Sequence, residues 1–173
     1  MKKIKSMFIT TIFLLLVVLI GCHSAPEPTV KEGRFNFSVT YEVDGEMKNI
    51  SGVFVCEFAG AGSRIDGYYV EWNSYFLDDV EELFPTGHYN CIVVKEHEYG
   101  TIYLNLDLHA KYLMSEPGYI DSNRCVPYLV IEYHEDKVDE VGTYSTDDEE
   151  IIENYGVKII GYDYDAPIEN TYK

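Results

Sequence analysis

Positive charge is what this chain has least of. Its 173 residues carry 13 Lys and Arg against 30 Asp and Glu, a formal net charge of −17 at pH 7. So negative a surface repels nucleic-acid phosphates and anionic headgroups, which argues against nucleic acid as a partner. No C-x-x-C pair or Cys/His spacing suits zinc. No H-E-x-x-H, G-x-S-x-G or P-loop marks a metalloprotease, a serine hydrolase or a nucleotide site. Nothing in the sequence calls for a cofactor, and no internal repeat is visible. Long apolar runs are also missing. The longest, Phe8 to Ile20, covers 13 residues and is interrupted by Thr10-Thr11. As a helix it would reach about 20 Å at ~1.5 Å per residue, short of a bilayer core of about 30 Å.

That short run follows Lys2, Lys3 and Lys5 and ends at Leu19-Ile20-Gly21-Cys22. A basic start, a brief apolar core and a small residue before the cut are the marks of a secretion signal. The final tetrad resembles the lipobox of bacterial lipoprotein precursors. The resemblance implies that the Cys22 thiol is alkylated with a diacylglyceryl group and the leader removed before it. The protein would then be lipid-anchored on the extracytoplasmic face of the cell membrane, its acyl chains held at ~0.8 kcal/mol per buried methylene.

Cleavage before Cys22 would leave 152 residues, enough for one domain to bury a core without disulfides. Losing three lysines with the leader leaves ten basic against thirty acidic residues, a charge of about −20. Residues 22–33 read as the lipidated cysteine and a flexible tether, since His23 to Gly33 has two prolines, mixed charge and no apolar period. The folded domain is expected over 34–173. Besides Cys22 the chain has Cys56, Cys91 and Cys125, which permit at most one internal disulfide. The flanks Phe54-Val55-Cys56-Glu57-Phe58 and Tyr89-Asn90-Cys91-Ile92-Val93 favour buried thiols in strands, with a disulfide as the alternative.

The domain reads as all-β with one minor C-terminal helix. Phe35, Phe37, Val39, Tyr41 and Val43 alternate with polar residues, a period of two that puts one face inward. Asp44-Gly45 follows as a hairpin turn, and a returning strand runs from Met47 to Phe58 and closes at Gly60-Ala61-Gly62-Ser63. Further strands are expected at Gly67–Trp72, Tyr89–Glu96, Thr101–Leu108, Pro127–Tyr133 and Val157–Tyr164, with Glu98-Tyr99-Gly100 joining the middle pair. About seven short strands predict an antiparallel β-sandwich, of which the immunoglobulin-like arrangement is one form and a partly open barrel the fallback. Thr146 with Glu149 makes a capping box for a helix ending at Gly156. Asp78–Phe84 could form a second short helix.

Acidic clusters invite a calcium reading. Asp147 to Glu150 are better explained as the first turn of the C-terminal helix, where negative charge meets the macrodipole favourably. Asp78, Asp79, Glu81 and Glu82 lack the glycine of an EF-hand loop. Asp163 and Asp165 project from one face of a strand end. Two carboxylates spaced for glycoside hydrolysis would arise by accident among thirty acids and need a cleft to mean anything. His23, His88, His97, His109 and His134 fall in the tether, loops or strand ends. A Cys91–His dyad would need an exposed, electropositive thiol, which this composition does not favour.

Aromatic residues are abundant: sixteen Tyr, eight Phe and a single Trp. Four of them gather in Gly67-Tyr68-Tyr69-Val70-Glu71-Trp72-Asn73-Ser74-Tyr75. Strands favour aromatics for packing, yet exposed rings could stack on sugars or anchor a protein. Tyr69, Trp72 and Tyr75 are therefore the candidate ligand-binding residues. Alternation puts Tyr68, Val70 and Trp72 on one face, with Tyr69 and Glu71 on the other. The stretch Phe35 to Glu46, with Cys56-Glu57-Phe58 further on, resembles uncharacterised surface lipoproteins of Gram-positive, clostridial-type bacteria, a group that implies an address but no activity. The expected function is a non-enzymatic, tethered binding or accessory module for an extracellular protein or glycan; the alternative is a surface hydrolase using carboxylates.

Overall fold

Alternation and turn chemistry build two antiparallel sheets. The computed structural model describes residues 25–65, 67–77, 90–98, 100–119, 125–135, 138–144 and 149–173, with backbone only at 134–135, 138–144 and 149–151. Strands β1 (Glu32–Val43), β2 (Glu46–Arg64) and β3 (Gly67–Phe76) form a meander. Strands β4 (Cys91–His97), β5 (Gly100–Asn105), β6 (Tyr128–Glu135) and β7 (Val138–Tyr144) form a second. The last strand, β8 (Val157–Tyr164), returns to the open side of β1. The sheets run β3-β2-β1-β8 and β4-β5-β6-β7. This is an all-β sandwich, but its strand order is not the immunoglobulin one. There, strands from both halves of the chain are shared between the sheets; here each sheet is a meander, with β8 alone crossing back.

The hairpin expected at Asp44-Gly45 is present, with φ of 52° and 85° at the two turn residues and Val43 opposite Glu46. Inward-facing Phe35, Phe37, Val39 and Val43 from β1 meet Ile50, Phe54 and Cys56 from β2. From the second sheet come Ile92, Ile102, Leu104, Leu129 and Ile131, so one core lies between the layers. Phe37 and Phe54 both pack on Phe76, with centroids 5.5 and 5.1 Å away. Among the described residues no disulfide forms; Cys56, Cys91 and Cys125 are all buried thiols. Burial pushes the Cys56 thiol up to about 12 and the Cys91 thiol up to about 11, so neither has the reactivity of a nucleophile.

Several boundaries differ from the expectation. Gly60-Ala61-Gly62-Ser63 does not close β2. The strand slips register by a bulge between Phe58 and Gly60, then pairs with β3 as far as Arg64. Gly60 follows the bulge, and Gly62 marks a close approach by Tyr69 rather than a turn. β3 runs on to Phe76, and β5 stops at Asn105 because Asp107 takes a positive φ of 52°. β7 was not anticipated; it is an edge strand, and its acids and Gly142 blur the period of two. A one-turn helix, α1 (Ala110–Leu113), follows β5, and α2 (Glu149–Tyr155) ends at Gly156 with φ of 65°. The Asp78–Phe84 helix and the Thr146 cap lie outside the described residues.

Part of the stretch expected as a tether is paired with the rest of the chain. Glu27 and Lys173 exchange two backbone hydrogen bonds, and Thr29 N donates to Thr171 O. From Glu27 onward the chain is therefore paired with its own C-terminal segment, and β1 begins at Glu32 rather than near Arg34. That segment continues across α1: Ile168 N donates to Leu113 O, Ser115 Oγ to Ile168 O, and Tyr172 OH to Met114 O.

Candidate functional site

Among the described residues β3 is an edge strand, hydrogen-bonded to β2 on one side only in its sheet. Its other side faces α1 and the turn after it. Between them lies a cleft of about 580 Å³, lined by Tyr69, Val70, Glu71, Trp72 and Asn73 on the strand and by His109, Ala110, Lys111 and Tyr119 opposite. Ala59 and Arg64 from β2 also line it, Ala59 beside Glu71 and Trp72 and Arg64 toward the start of β3. Five consecutive strand residues line the same space. Side chains on a strand alternate between faces, so such a run shows that the cleft lies along the strand's edge, not over either face of the sheet.

Aromatic rings and basic side chains stand out among the groups within it. Arg64 sits with its guanidinium carbon 4.4 Å from the Tyr69 ring centroid, a cation–π pair. Tyr69 can lie this low because Gly62, its cross-strand partner, has no side chain. A Cβ there would fall 2.5 Å from the Tyr69 hydroxyl. Trp72 packs edge-to-face against Phe58, centroids 6.0 Å apart, and reaches the core. Its Nε1 is covered and has no hydrogen-bond partner among the described residues, a polar group left unsatisfied at ordinarily ~1–3 kcal/mol. Across the cleft, His109 Nε2 is 2.9 Å from Asp107 Oδ1. Lys111 Nζ lies 3.6 Å from Glu116 Oε1 and 6.0 Å from the Tyr119 ring centroid. Arg64, His109 and Lys111 thus converge on one cleft of a strongly acidic protein, whose lining holds one carboxylate, Glu71, among the described residues.

Of the three expected ligand-binding residues, Tyr69 and Trp72 are brought together here and Tyr75 is not. Tyr75 is outside the cleft lining, and its hydroxyl donates to Glu57 Oε1 at 2.8 Å. The alternation holds, with Val70 buried and Trp72 half-buried on the inner face, although Tyr68 at the strand's start is 53% exposed. The far wall of His109, Ala110, Lys111 and Tyr119 was missed, because one helical turn leaves no period to read.

Other candidates resolve differently. Asp165 Oδ2 accepts from the backbone and side-chain nitrogens of Asn36, both at 2.7 Å, and so is engaged on β1 rather than paired with Asp163. No group of three or more His, Cys, Asp or Glu side chains is placed to hold a metal ion among the described residues. His97 packs on Tyr155, centroids 5.0 Å apart; the acidic runs at 78–82 and 147–148, with His23 and His88, lie outside the described residues, and the side chains of His134, Glu149 and Glu150 are likewise undescribed. No helix among the described residues is long and apolar enough to cross a membrane. No protein-family model, curated protein or solved structure matches the chain.

Proposed function

We propose that this protein is a lipid-anchored module, tethered through Cys22 outside the cell membrane, that binds an extracellular ligand in the cleft between β3 and α1. The observation that carries this reading is the convergence of Arg64, His109 and Lys111 with Tyr69, Trp72 and Tyr119 on one cleft. Rings provide contact area, and the two cations, Arg64 and Lys111, select a negatively charged partner. Hydrolysis by paired carboxylates is less well supported, because that chemistry needs two acids across the bond and the described lining offers Glu71 alone.

Trp72 is the single tryptophan, so its emission reports the cleft without ambiguity. Titrating the full chain in detergent with chitotetraose, polyglycerol phosphate and polyglutamate should shift that emission for at least one anionic polymer, and Arg64→Glu should abolish the shift. An emission indifferent to all three, with Lys111 and His109 chemical shifts equally unmoved, would remove the cleft as the ligand site. Anchoring has its own test: Cys22→Ser should end incorporation of labelled fatty acid and release the protein from membranes.

A further inference from the structure

The β3–α1 cleft is an edge groove, and its backbone geometry says more than its side chains. Leu77 N donates to Val53 O, in register with Phe54 opposite Phe76. In an antiparallel ladder such bonded positions recur every second residue. Counting back along β3, Tyr75, Asn73, Glu71 and Tyr69 direct their backbone groups at β2. Ser74, Trp72 and Val70 direct theirs outward, and Trp72 and Val70 line the cleft. Among the described residues no strand pairs with that side of β3, and an edge with outward N–H and C=O groups is a template for another strand.

Resting on the binding function proposed above, we infer that the occupant is an extended peptide segment with acidic side chains, which adds to β3 as a fifth strand of its sheet. The backbone of Val70 and Trp72 supplies the main-chain pairing. Affinity in this mode comes from those bonds, and selectivity from the pockets flanking alternate side chains. Here the flanks are Arg64 at one end and His109 and Lys111 along α1, so carboxylates on the incoming strand meet the Arg64 guanidinium and the Lys111 ammonium, with the His109 ring beside them. Tyr69 and Tyr119 cover the strand's apolar stems. A second copy of this chain fits less well as occupant, because it sets a whole surface of net charge −17 against another of the same sign, whereas a short segment brings its carboxylates only to the cleft.

The probe is an end-capped decapeptide of alternating threonine and glutamate, with two controls: the same peptide N-methylated at every second residue, and a threonine–lysine decapeptide. Titrated into the full chain in detergent, the glutamate peptide should shift Trp72 emission and protect the Val70 and Trp72 amides from hydrogen exchange. N-methylation on the pairing edge should weaken binding at least tenfold, as should the lysine peptide. Arg64→Glu combined with Lys111→Glu should reverse the charge preference while leaving the fold intact, since both side chains are exposed. If the N-methylated peptide binds as well as its parent, strand addition is wrong. If chitotetraose or polyglycerol phosphate moves Trp72 and no peptide does, the peptide inference fails while the cleft keeps its binding role. If none of the probes moves Trp72, both fall. Concentration-dependent dimers in sedimentation with the same amides protected would make a second copy the occupant and overturn the inference.

Discussion

Tyr69 occupies the space that any side chain on Gly62 would need. The two residues face each other across β2 and β3, and a Cβ on Gly62 would approach the Tyr69 ring atoms to 2.5–2.8 Å. Real carbon contacts are not that short, so the ring's position, and the Arg64 guanidinium stacked on it, depend on the missing side chain. Strand glycine usually costs stability through backbone entropy; here it admits an aromatic ring at the mouth of the cleft.

Gly62→Ala should therefore separate folding from binding. The ladder is kept and alanine suits a strand better than glycine, so the urea midpoint should change by less than the equivalent of ~1 kcal/mol. The Tyr69 ring must swing away and Arg64 with it. Binding of an anionic probe, read by Trp72 emission, should fall several-fold. Unchanged binding with unchanged stability would show that the Tyr69–Arg64 pair takes no part in the site.

The far wall of the cleft depends on the C-terminal segment. α1 is one turn long, too short to be stable alone; Ile168 N and Tyr172 OH donate to the carbonyls of Leu113 and Met114 at its end, and Ser115 Oγ in the turn behind it donates to Ile168 O. Deleting 166–173 should loosen α1 and raise hydrogen exchange at Leu113 and Met114, while the amides of β5 and β6 stay protected. Tyr172→Phe, which removes one hydrogen bond, should cost about 0.5–1.5 kcal/mol. Exchange at Leu113 that ignored the deletion would show that α1 is held by other contacts.

How much of this was legible beforehand follows from how far each pattern extends. β1 has five apolar residues in strict alternation before a Asp-Gly turn, and it was read almost to the residue, as was β8. Tyr69 and Trp72 stood out because aromatics crowd that stretch. What failed was local evidence for long-range effects. Gly60 and Gly62 look like a turn until the bulge is seen before Gly60 and Tyr69 is placed against Gly62, and Tyr75 looks like its neighbours until Glu57 claims its hydroxyl. Lys111 and His109 gave no signal, since their role depends on where a single helical turn meets a sheet edge.

Lys95 ties three elements together and offers a stability test away from the cleft. Its Nζ is 2.6 Å from Asp44 Oδ1 at the β1–β2 turn and 2.8 Å from the Tyr155 carbonyl at the end of α2. Asp44 is well exposed, so the ion pair itself adds little. The bond to a part-buried carbonyl at a helix C-terminus is worth more, because that acceptor otherwise lacks a partner within the helix. Lys95→Met keeps the packing of the stem and should lower stability by about 1–2 kcal/mol. The companion Asp44→Asn should cost less than half of that; equal losses would assign the effect to the ion pair instead.

Alkaline pH should unfold this protein earlier than a typical sandwich. Burial raises the Cys56 thiol from its ordinary 9.0 to about 12 and the Cys91 thiol to about 11. Burial likewise raises Tyr103 and Tyr172 from 10.0 to about 12, and Tyr164 further still. Each is an acid whose folded form keeps its proton longer than the unfolded chain does. Below pH 9 both states are protonated and stability is at its full value. As pH rises above 9, the unfolded thiols ionise first, followed by the tyrosines above 10, and each group drains up to ~1.4 kcal/mol per pH unit from the folded state. Urea midpoints should be flat from pH 7 to 8.5 and fall steeply from pH 9 to 11. Cys56→Val should make that fall shallower, and at pH 8 the native thiols of Cys56 and Cys91 should resist a disulfide reagent that modifies them at once in urea. Rapid labelling of Cys56 in the folded protein, or a midpoint indifferent to pH up to 11, would contradict the burial from which the argument starts.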